Sequence, residues 1–321
     1  MKIAVVILNW NGEALLERFL PSVMKHSDGA DIYVVDNAST DGSVDFLKQH
    51  YPTIGIVQNS SNGGFAKGYN DGLKHIEADV FCLLNSDVEV TPNWLEPIKD
   101  AFKSILEASI IQPKILDLIQ KDHFEYAGAA GGFIDMFGYP FCRGRIFQTI
   151  EKDEGQYNDI KEVFWATGAC MFIKSEVFHQ LEGFDEDYFA HQEEIDLCWR
   201  AKNAGHKVYY VGHSSVYHLG GSTLSNINPK KTFLNFRNSL YSITKNLPRK
   251  KAIPLVFARL VLDALAALRF VFQLKFDHCF AILRAHLSFY ANFIKMYKKR
   301  EKANFIRSEE HTSELQSPLD I

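Results

Sequence analysis

Along the first third of the chain, short apolar runs alternate with segments in which apolar residues recur every three or four positions. The runs "IAVVIL" (3–8), "DIYVVD" (31–36), "GIVQN" (55–59) and "VFCLL" (80–84) read as strands. Their near-continuous apolarity is that of strands buried on both faces. Between them the spacing predicts helices over about 13–26, 42–50 and 64–76. Strands alternating with helices at this spacing imply an α/β fold whose parallel sheet is covered on both sides. Thr91-Pro92 reads as an N-cap and first helical residue, opening a helix over about 92–106. A less regular stretch rich in Gly and aromatics (125–145) precedes "EVFWATGACMFIK" (162–174). A helix at 192–205 follows, closed by Gly205, and then strands "KVYYVG" and "SVYHL". Beyond residue 230 the pattern turns helical, and no solenoid or propeller repeat runs along the chain.

In such sheets ligands bind in the crevice beyond the carboxyl ends of the strands. Asn9, Asp36, Asn59 and Asp87 all fall there, with Glu89 close behind Asp87. Strand ends are often polar simply because they are solvated, yet four on one rim point to a site.

Composition narrows the class. A chain of 321 residues, 46% hydrophobic and 13% aromatic, is globular and long enough for one large domain plus an appendage. The five cysteines are scattered without a CxxC pair, which argues against a zinc site or a disulfide framework and fits a reducing cytoplasm. The first apolar run is too short for a signal peptide and ends in a turn. The net charge of -4 conceals an asymmetry: residues 1–229 hold 18 basic and 32 acidic residues, residues 230–302 hold 16 and three. A basic, apolar segment on an acidic body suggests contact with an anionic membrane surface. It carries no recognisable nucleic-acid motif, so no nucleic-acid partner is expected. Within it, 253–274 and 278–298 are interrupted by Arg259, Asp263, Arg269, Arg284 and Lys295. These read as amphipathic helices lying on a membrane, or packed on the sheet domain or a dimer partner, since a spanning helix needs about 20 uninterrupted apolar residues. The end of the chain, 303–321, reads as a disordered tail. Within it "RSEEHTSELQS" (307–317) has the look of a translated sequencing adapter and is set aside from fold reasoning.

The candidate chemistry centres on carboxylates. Asp87 at a strand end suits a hard divalent ion held between protein and phosphate, although an Asp there also caps turns. Asn9 and Asn11 flank Trp10 in the first strand-to-helix turn, where Asn is also common for conformational reasons. In "NSSNGGFAKGYNDG" the glycines can bring backbone N–H groups to an anion at a helix N-terminus, and Lys67 can reach a phosphate or ribose. This is no Walker loop, and a plain Gly-rich connection is the alternative. In "HQEEIDLCWR", Asp196 and Arg200 lie one turn apart and can pair, and Glu193 and Glu194 sit where helix-start charge is favoured. His218 ends a strand before glycines, and no HExxH spacing occurs.

"VVILNWNG", "VVDNASTDGS", "NGGFAKGYNDG", "LLNSDVEVTPNWL", "FWATGACMFIKSEVF", "GFDEDYF", "EEIDLCWRAKNAG" and "VYHLGGST" occur in this order. Together they resemble family 2 glycosyltransferases of the GT-A fold, most closely the rhamnosyltransferase-like branch of bacterial surface-polysaccharide synthesis. The resemblance covers roughly residues 1–245 and implies a catalytic domain over 1–229 with a basic helical extension over 230–302. It implies a metal-dependent, inverting hexosyltransferase. This would move rhamnose or another hexose from a dTDP- or UDP-linked donor to a glycan or lipid-linked acceptor at the inner face of the cytoplasmic membrane. Asn85-Ser86-Asp87 takes the place of the DxD motif, with Asp87 binding Mg2+ or Mn2+ and Asn85 replacing the first acid. His218 matches a further metal ligand. Asp36 corresponds to a contact with the nucleotide base or ribose, and Asn9, Asn11, Asn62, Gly63, Gly64 and Lys67 line the same donor site. The general base falls on Glu194, where the family usually has Asp, with Glu193 and Asp196 as its rivals. A sugar-1-phosphate nucleotidyltransferase would call for a Gly-rich first turn with Arg and Lys, where this chain has "NWNGEALLERF". A catalytically inert sugar-nucleotide-binding protein is the other alternative.

Overall fold

The computed structural model describes residues 1–146, 149–220 and 228–302. The expected tail, 303–321, lies outside them. In chain order the first half runs β1 (Ile3–Asn9), α1 (Glu13–His26), β2 (Ala30–Asp36), α2 (Ser43–His50), β3 (Gly55–Gln58), α3 (Gly64–Leu73), β4 (Val80–Asn85), β5 (Val88–Val90), α4 (Leu95–Ser104) and β6 (Ala108–Asp117). Short strands β7 (Gly132–Ile134), β8 (Pro140–Cys142), β9 (Arg145–Ile146) and β10 (Thr149–Ile150) make two hairpins. Then come β11 (Ile160–Val163), β12 (Cys170–Lys174), α5 (Ser175–Gln180), α6 (Glu193–Asn203), β13 (Lys207–His218), α7 (Pro229–Asn246), α8 (Arg249–Phe272) and α9 (Phe276–Lys302).

The main sheet has the order β11-β13-β6-β12-β4-β1-β2-β3, with β5 paired to β13. Strands β3, β2, β1 and β4 are parallel neighbours, as the alternation of strand and helix implies. Strand β12 inserts antiparallel between β4 and β6, and β13 runs parallel to β6. Six strands therefore point one way and end on one rim. β12 runs the opposite way, so it starts there, with Cys170 opposite Leu84.

Alternate residues of β1 feed two cores. Ala4 and Val6 face a cluster with α3, α5, α6 and α7, while Ile3, Val5 and Ile7 face one with α1, α2 and α4. Burial on both faces is why these strands carry no polar alternation. The helical extension shares the first core: Leu240, Tyr241 and Ile243 of α7 pack in the cluster holding Ile195 and Trp199 of α6.

Two elements differ from the sequence pattern. Helix α4 starts at Leu95, three residues after Pro92, because Asn93 takes a left-handed backbone (φ 61°) and the Thr91 hydroxyl donates to the Ser215 carbonyl at 2.7 Å. The two strands expected at 207–212 and 215–219 are one, β13, whose register against β6 shifts between Val211 and Ser215. Gly205 closes α6 as expected, in the left-handed region (φ 87°).

Candidate active site

The rim is built from adjacent strand ends. Parallel pairing sets Asn9 beside Asp36, and the Asn9 amide donates to Asp36 Oδ1 (3.2 Å) and Ser39 Oγ (3.3 Å). Asp36 Oδ2 accepts the Ser39 amide at 2.9 Å, and the Asn9 and Asp36 side chains are buried. Asn9 Oδ1 is buried without a partner, an acceptor left over at the rim. Asn11, in the left-handed region that Asn tolerates (φ 49°), takes the Thr40 amide at 2.7 Å and so ties the first two turns together. Asp41, by contrast, accepts the Ser43 amide at the start of α2 and the Glu13 amide, so it is the turn-capping acid. Burial acts to raise its pKa, but the Ser43 and Glu13 hydrogen bonds outweigh that and lower it.

The glycine turn departs from its expected role. Asn62 Oδ1 accepts the Gly64 amide (2.9 Å), and the Phe189 carbonyl accepts the Phe65 amide (2.8 Å) and the Ala66 amide (3.4 Å). The N-terminus of α3 is thus closed by protein, not held open for an anion. Gly64 is required because φ is 80° and a Cβ would lie 2.6 Å from that same carbonyl. A Cβ on Gly63 would meet the Lys67 stem at 2.7 Å. Lys67 pairs with Asp71 at 2.7 Å and lies 3.9 Å from Glu186, because its position one turn before Asp71 favours the ion pair over a reach to the rim. The buried Asn37, which sequence reasoning passes over, donates to Asn62 Oδ1 and the Gly64 carbonyl.

Asp87 reaches its partner through β5. After Asn85, whose amide donates to the Ala169 carbonyl, Ser86 and Asp87 turn the chain into β5, which pairs antiparallel with β13 so that Val88 opposes His218. Asp87 Oδ1 then lies 3.2 Å from His218 Nε2, and Glu125 Oε1 lies 3.6 Å from Nδ1 on the other side of the ring. All three side chains are buried. Burial alone would lower the imidazole pKa, but Asp87 and Glu125 outweigh it and hold it up at about 10. Glu89 points elsewhere, to Lys121 at 2.9 Å.

The donor set suits a divalent ion. An Oδ1–Nε2 separation of 3.2 Å is close to the ~3 Å between adjacent ligands of an octahedral ion held at ~2.1 Å. Such an ion would sit between the two side chains, where a proton on His218 Nε2 would otherwise bridge them. Among the described residues no group of three or more His, Cys, Asp and Glu side chains forms a metal shell. Asp87 and His218 would therefore supply two ligands and leave the others to phosphate and water, as Mg2+ commonly requires.

Helix α6 brings the second carboxylate group. It follows a loop in which Phe189, His191 and Gln192 all have φ between 65° and 68°. Asn238 of α7, fully buried, donates to the carbonyls of Tyr188, Ala190 and His191, which compensates the strained loop. Glu193 is buried and Glu194 partly so, and each has one carboxylate oxygen out of reach of solvent with no partner. Burial, and then the neighbouring Glu194, pushes the Glu193 pKa well up. Burial pushes Glu194 to about 7.

Asp196 differs in kind. It binds Arg200 (2.8 Å), Lys245 (2.9 Å), Asn246 (2.9 Å) and the Tyr188 hydroxyl (3.2 Å). Burial opposes ionisation, yet Lys245 and Arg200 hold its pKa well below the usual carboxylate range. Asp196 is thus spent on packing, and the Asp196–Arg200 pairing is its role. One turn from Glu194, Cys198 Sγ accepts the Ala166 amide, which sets the start of α6 against the loop leading into β12. Asp36, Asn9, Asn85 and Asp87 thus stand on or just past adjacent strand ends, Ala169 joins them through Asn85, and Ala166, three residues earlier, meets α6 at Cys198.

Three further residues join it. Beside Glu125 stands Lys231, whose pKa is lowered by burial and raised in part by that carboxylate. Burial and Lys231 push His191 down to about 4, and its Nε2 is buried without a partner. Only a helix start arriving from α7 brings Lys231 here, so local sequence gives no signal for it.

Residues 4–181 match the model of Glycosyl transferase family 2. The chain belongs to this family. It is 32% identical over 260 residues to the rhamnosyltransferase WbbL of Escherichia coli (strain K12), covering 78% of this chain and 94% of WbbL. It is 27% identical over 233 residues to the N-acetylglucosaminyl-diphospho-decaprenol L-rhamnosyltransferase of Mycobacterium tuberculosis, covering 67% of this chain and 75% of that one. Solved structures share the fold. GalNAc-T7 with UDP, GalNAc and Mn2+ matches at TM-score 0.58 and 18% identity over 76% of this chain, which spans 48% of that chain. The mannosyltransferase PcManGT from Pyrobaculum calidifontis, with GDP-Man and Mn2+, matches at 0.55 and 12% over 89% of this chain and 86% of its own. The fold of this family 2 glycosyltransferase is GT-A-type.

Proposed function

We propose that the chain is an inverting hexosyltransferase. It takes rhamnose or another hexose from a dTDP- or UDP-linked donor and passes it to a glycan or lipid-linked glycan. The observation that carries the reading is the Asp87–His218 pair, formed where the turn after β4 meets the end of β13, with β4 two strands from β2 and its terminal Asp36. The names of the relatives, two of them rhamnosyltransferases, support the choice of sugar, and one acts on a diphospho-decaprenol.

Asp87 and His218 would hold Mg2+ or Mn2+, which when bound neutralises charge on the leaving diphosphate. Asp36, Asn9 and Asn11 position the nucleoside. Glu194, partly exposed but with its pKa raised, is the base. A proton passes from the acceptor hydroxyl to its carboxylate, the hydroxyl oxygen bonds to the anomeric carbon, and the bond to the diphosphate breaks. One displacement inverts that carbon. A base so placed contributes about 10²–10⁴-fold. Burial and the neighbouring Glu194 disfavour charge on Glu193, which leaves the partly exposed Glu194 as the better placed of the two to act as base.

We place catalysis in residues 1–229 and attachment to an anionic membrane, at its cytoplasmic face, in 230–302. Among the described residues no helix is long and apolar enough to cross a membrane. All five cysteines are free thiols, consistent with a reducing compartment. Thermal-shift screening of dTDP-rhamnose and UDP- and GDP-hexoses tests the donor. One dTDP- or UDP-linked donor should raise the melting temperature only with Mg2+ or Mn2+ present. Absence of any shift across the panel would overturn the reading.

A further inference from the structure

Beside α7 lies a cavity of about 720 Å³, walled by the rings of Phe189, Phe233 and Phe280. Its polar lining is Lys230, Arg237 and Arg284 against one carboxylate, Asp277. Neither Lys230 nor Arg284 forms an ion pair with a described residue. They lie over aromatic rings instead, Lys230 at 5.0 Å from the Phe189 centroid and Arg284 at 6.0 Å from that of Phe233. Arg237 is fixed by its bonds to the Asp187 and Tyr188 carbonyls. Lys230 and Arg284 are exposed and stay solvated, while Arg237 is half-buried. The three put a cluster of positive charge at an apolar mouth, where it complements an anion and would go unused by a base or sugar alone.

The cavity opens beside apolar surface. Phe280 also belongs to an exposed apolar stripe on α9, formed with Phe276, Leu283, Leu287 and Ile294. On α8, Phe257, Val261, Leu265, Leu268 and Phe272 make a second, and all ten side chains are at least half exposed. The spacing of three and four keeps each stripe on one helix face. An exposed apolar face of this extent marks a binding surface. The cavity also adjoins the reacting end: Phe189 opens the strained loop that ends at Glu193. The consecutive lysines of α7 divide, Lys230 lining the cavity and Lys231 within reach of the Glu125 charge.

We infer that this cavity binds the diphosphate head of a prenyl-type acceptor lipid, whose chain runs out along the α8–α9 stripes. The inference rests on the proposed sugar transfer and names where its acceptor is gripped. Lys230, Arg237 and Arg284 take the phosphates. Phe189, Phe233 and Phe280 take the first isoprene units, and the sugar carried by the diphosphate is left at the loop before Glu194.

Isothermal titration of the full chain with farnesyl diphosphate, inorganic pyrophosphate and farnesol, without metal, tests the site. Farnesyl diphosphate should bind at least about tenfold more tightly than either fragment. Arg284→Ser and Phe280→Ser, both on the surface, should each weaken it by about tenfold or more. Nucleoside diphosphate with Mn2+, which reports on the strand-end rim, should bind the variants as it binds the wild type. No binding of farnesyl diphosphate to the wild type would overturn the inference, as would equal binding of pyrophosphate, or farnesyl diphosphate affinity unchanged in both variants. Loss of nucleoside diphosphate binding in the wild type would instead overturn the donor reading, so the two failures are separable.

Discussion

In the proposed transfer, Glu194 takes its task as base from its surroundings. A carboxylate in water is too weak a base for a sugar hydroxyl, and burial raises its pKa to about 7 while part of the group stays accessible. Only the ionised form accepts a proton, so the rate should climb with pH and level off above about 7. Glu194→Gln should lower kcat by about 10²–10⁴ and abolish that acidic limb. A variant that kept the limb would show that another group is the base. The residues legible in the sequence are those whose role follows from a strand end: Asp36, Asp87 and His218 lie where the apolar runs stop. Glu125, Lys231 and His191 were not legible, because each reaches the site from a segment whose neighbours only the tertiary fold determines. Lys67 misleads for the opposite reason, since its local partner Asp71 takes it first.

At the scale of elements, α6 is aimed by α7. Asn238 holds the loop before α6 through three carbonyls, and Asp196 joins α6 to Lys245 and Asn246 at the end of α7. Removing one partner of such a buried network leaves the others uncompensated, and Asp196→Ala should destabilise the fold by about 3–5 kcal/mol. The pH sign follows from the depressed pKa. The stabilisation is present above the ordinary carboxylate range and is lost as pH falls through the folded value. Chemical denaturation at pH 7 measures the loss, and a variant as stable as the wild type would contradict the lock. The sequence suggests the Asp196–Arg200 pair from its spacing, but the spacing also allows a catalytic acid. Only the added contacts from α7 decide between them.

For the whole molecule, the parallel half of the sheet is legible because each strand is an apolar run separated from the next by a helical period. Antiparallel β12 is not, since an apolar run carries no direction, yet its insertion carries Ala169 to the rim and packs Ala166 against α6. The basic charge and broken apolarity of 253–298 likewise announce amphipathic helices without showing which faces stay exposed. The proposed function unites these parts in a rim that would grip a diphosphate through a divalent ion at Asp87 and His218. Calorimetric titration of nucleoside diphosphate, with and without Mn2+, into the wild type and Asp87→Ala measures this directly. Mn2+ should tighten wild-type binding by about tenfold or more and leave the variant's affinity unchanged. Equal enhancement by Mn2+ in both proteins would contradict it.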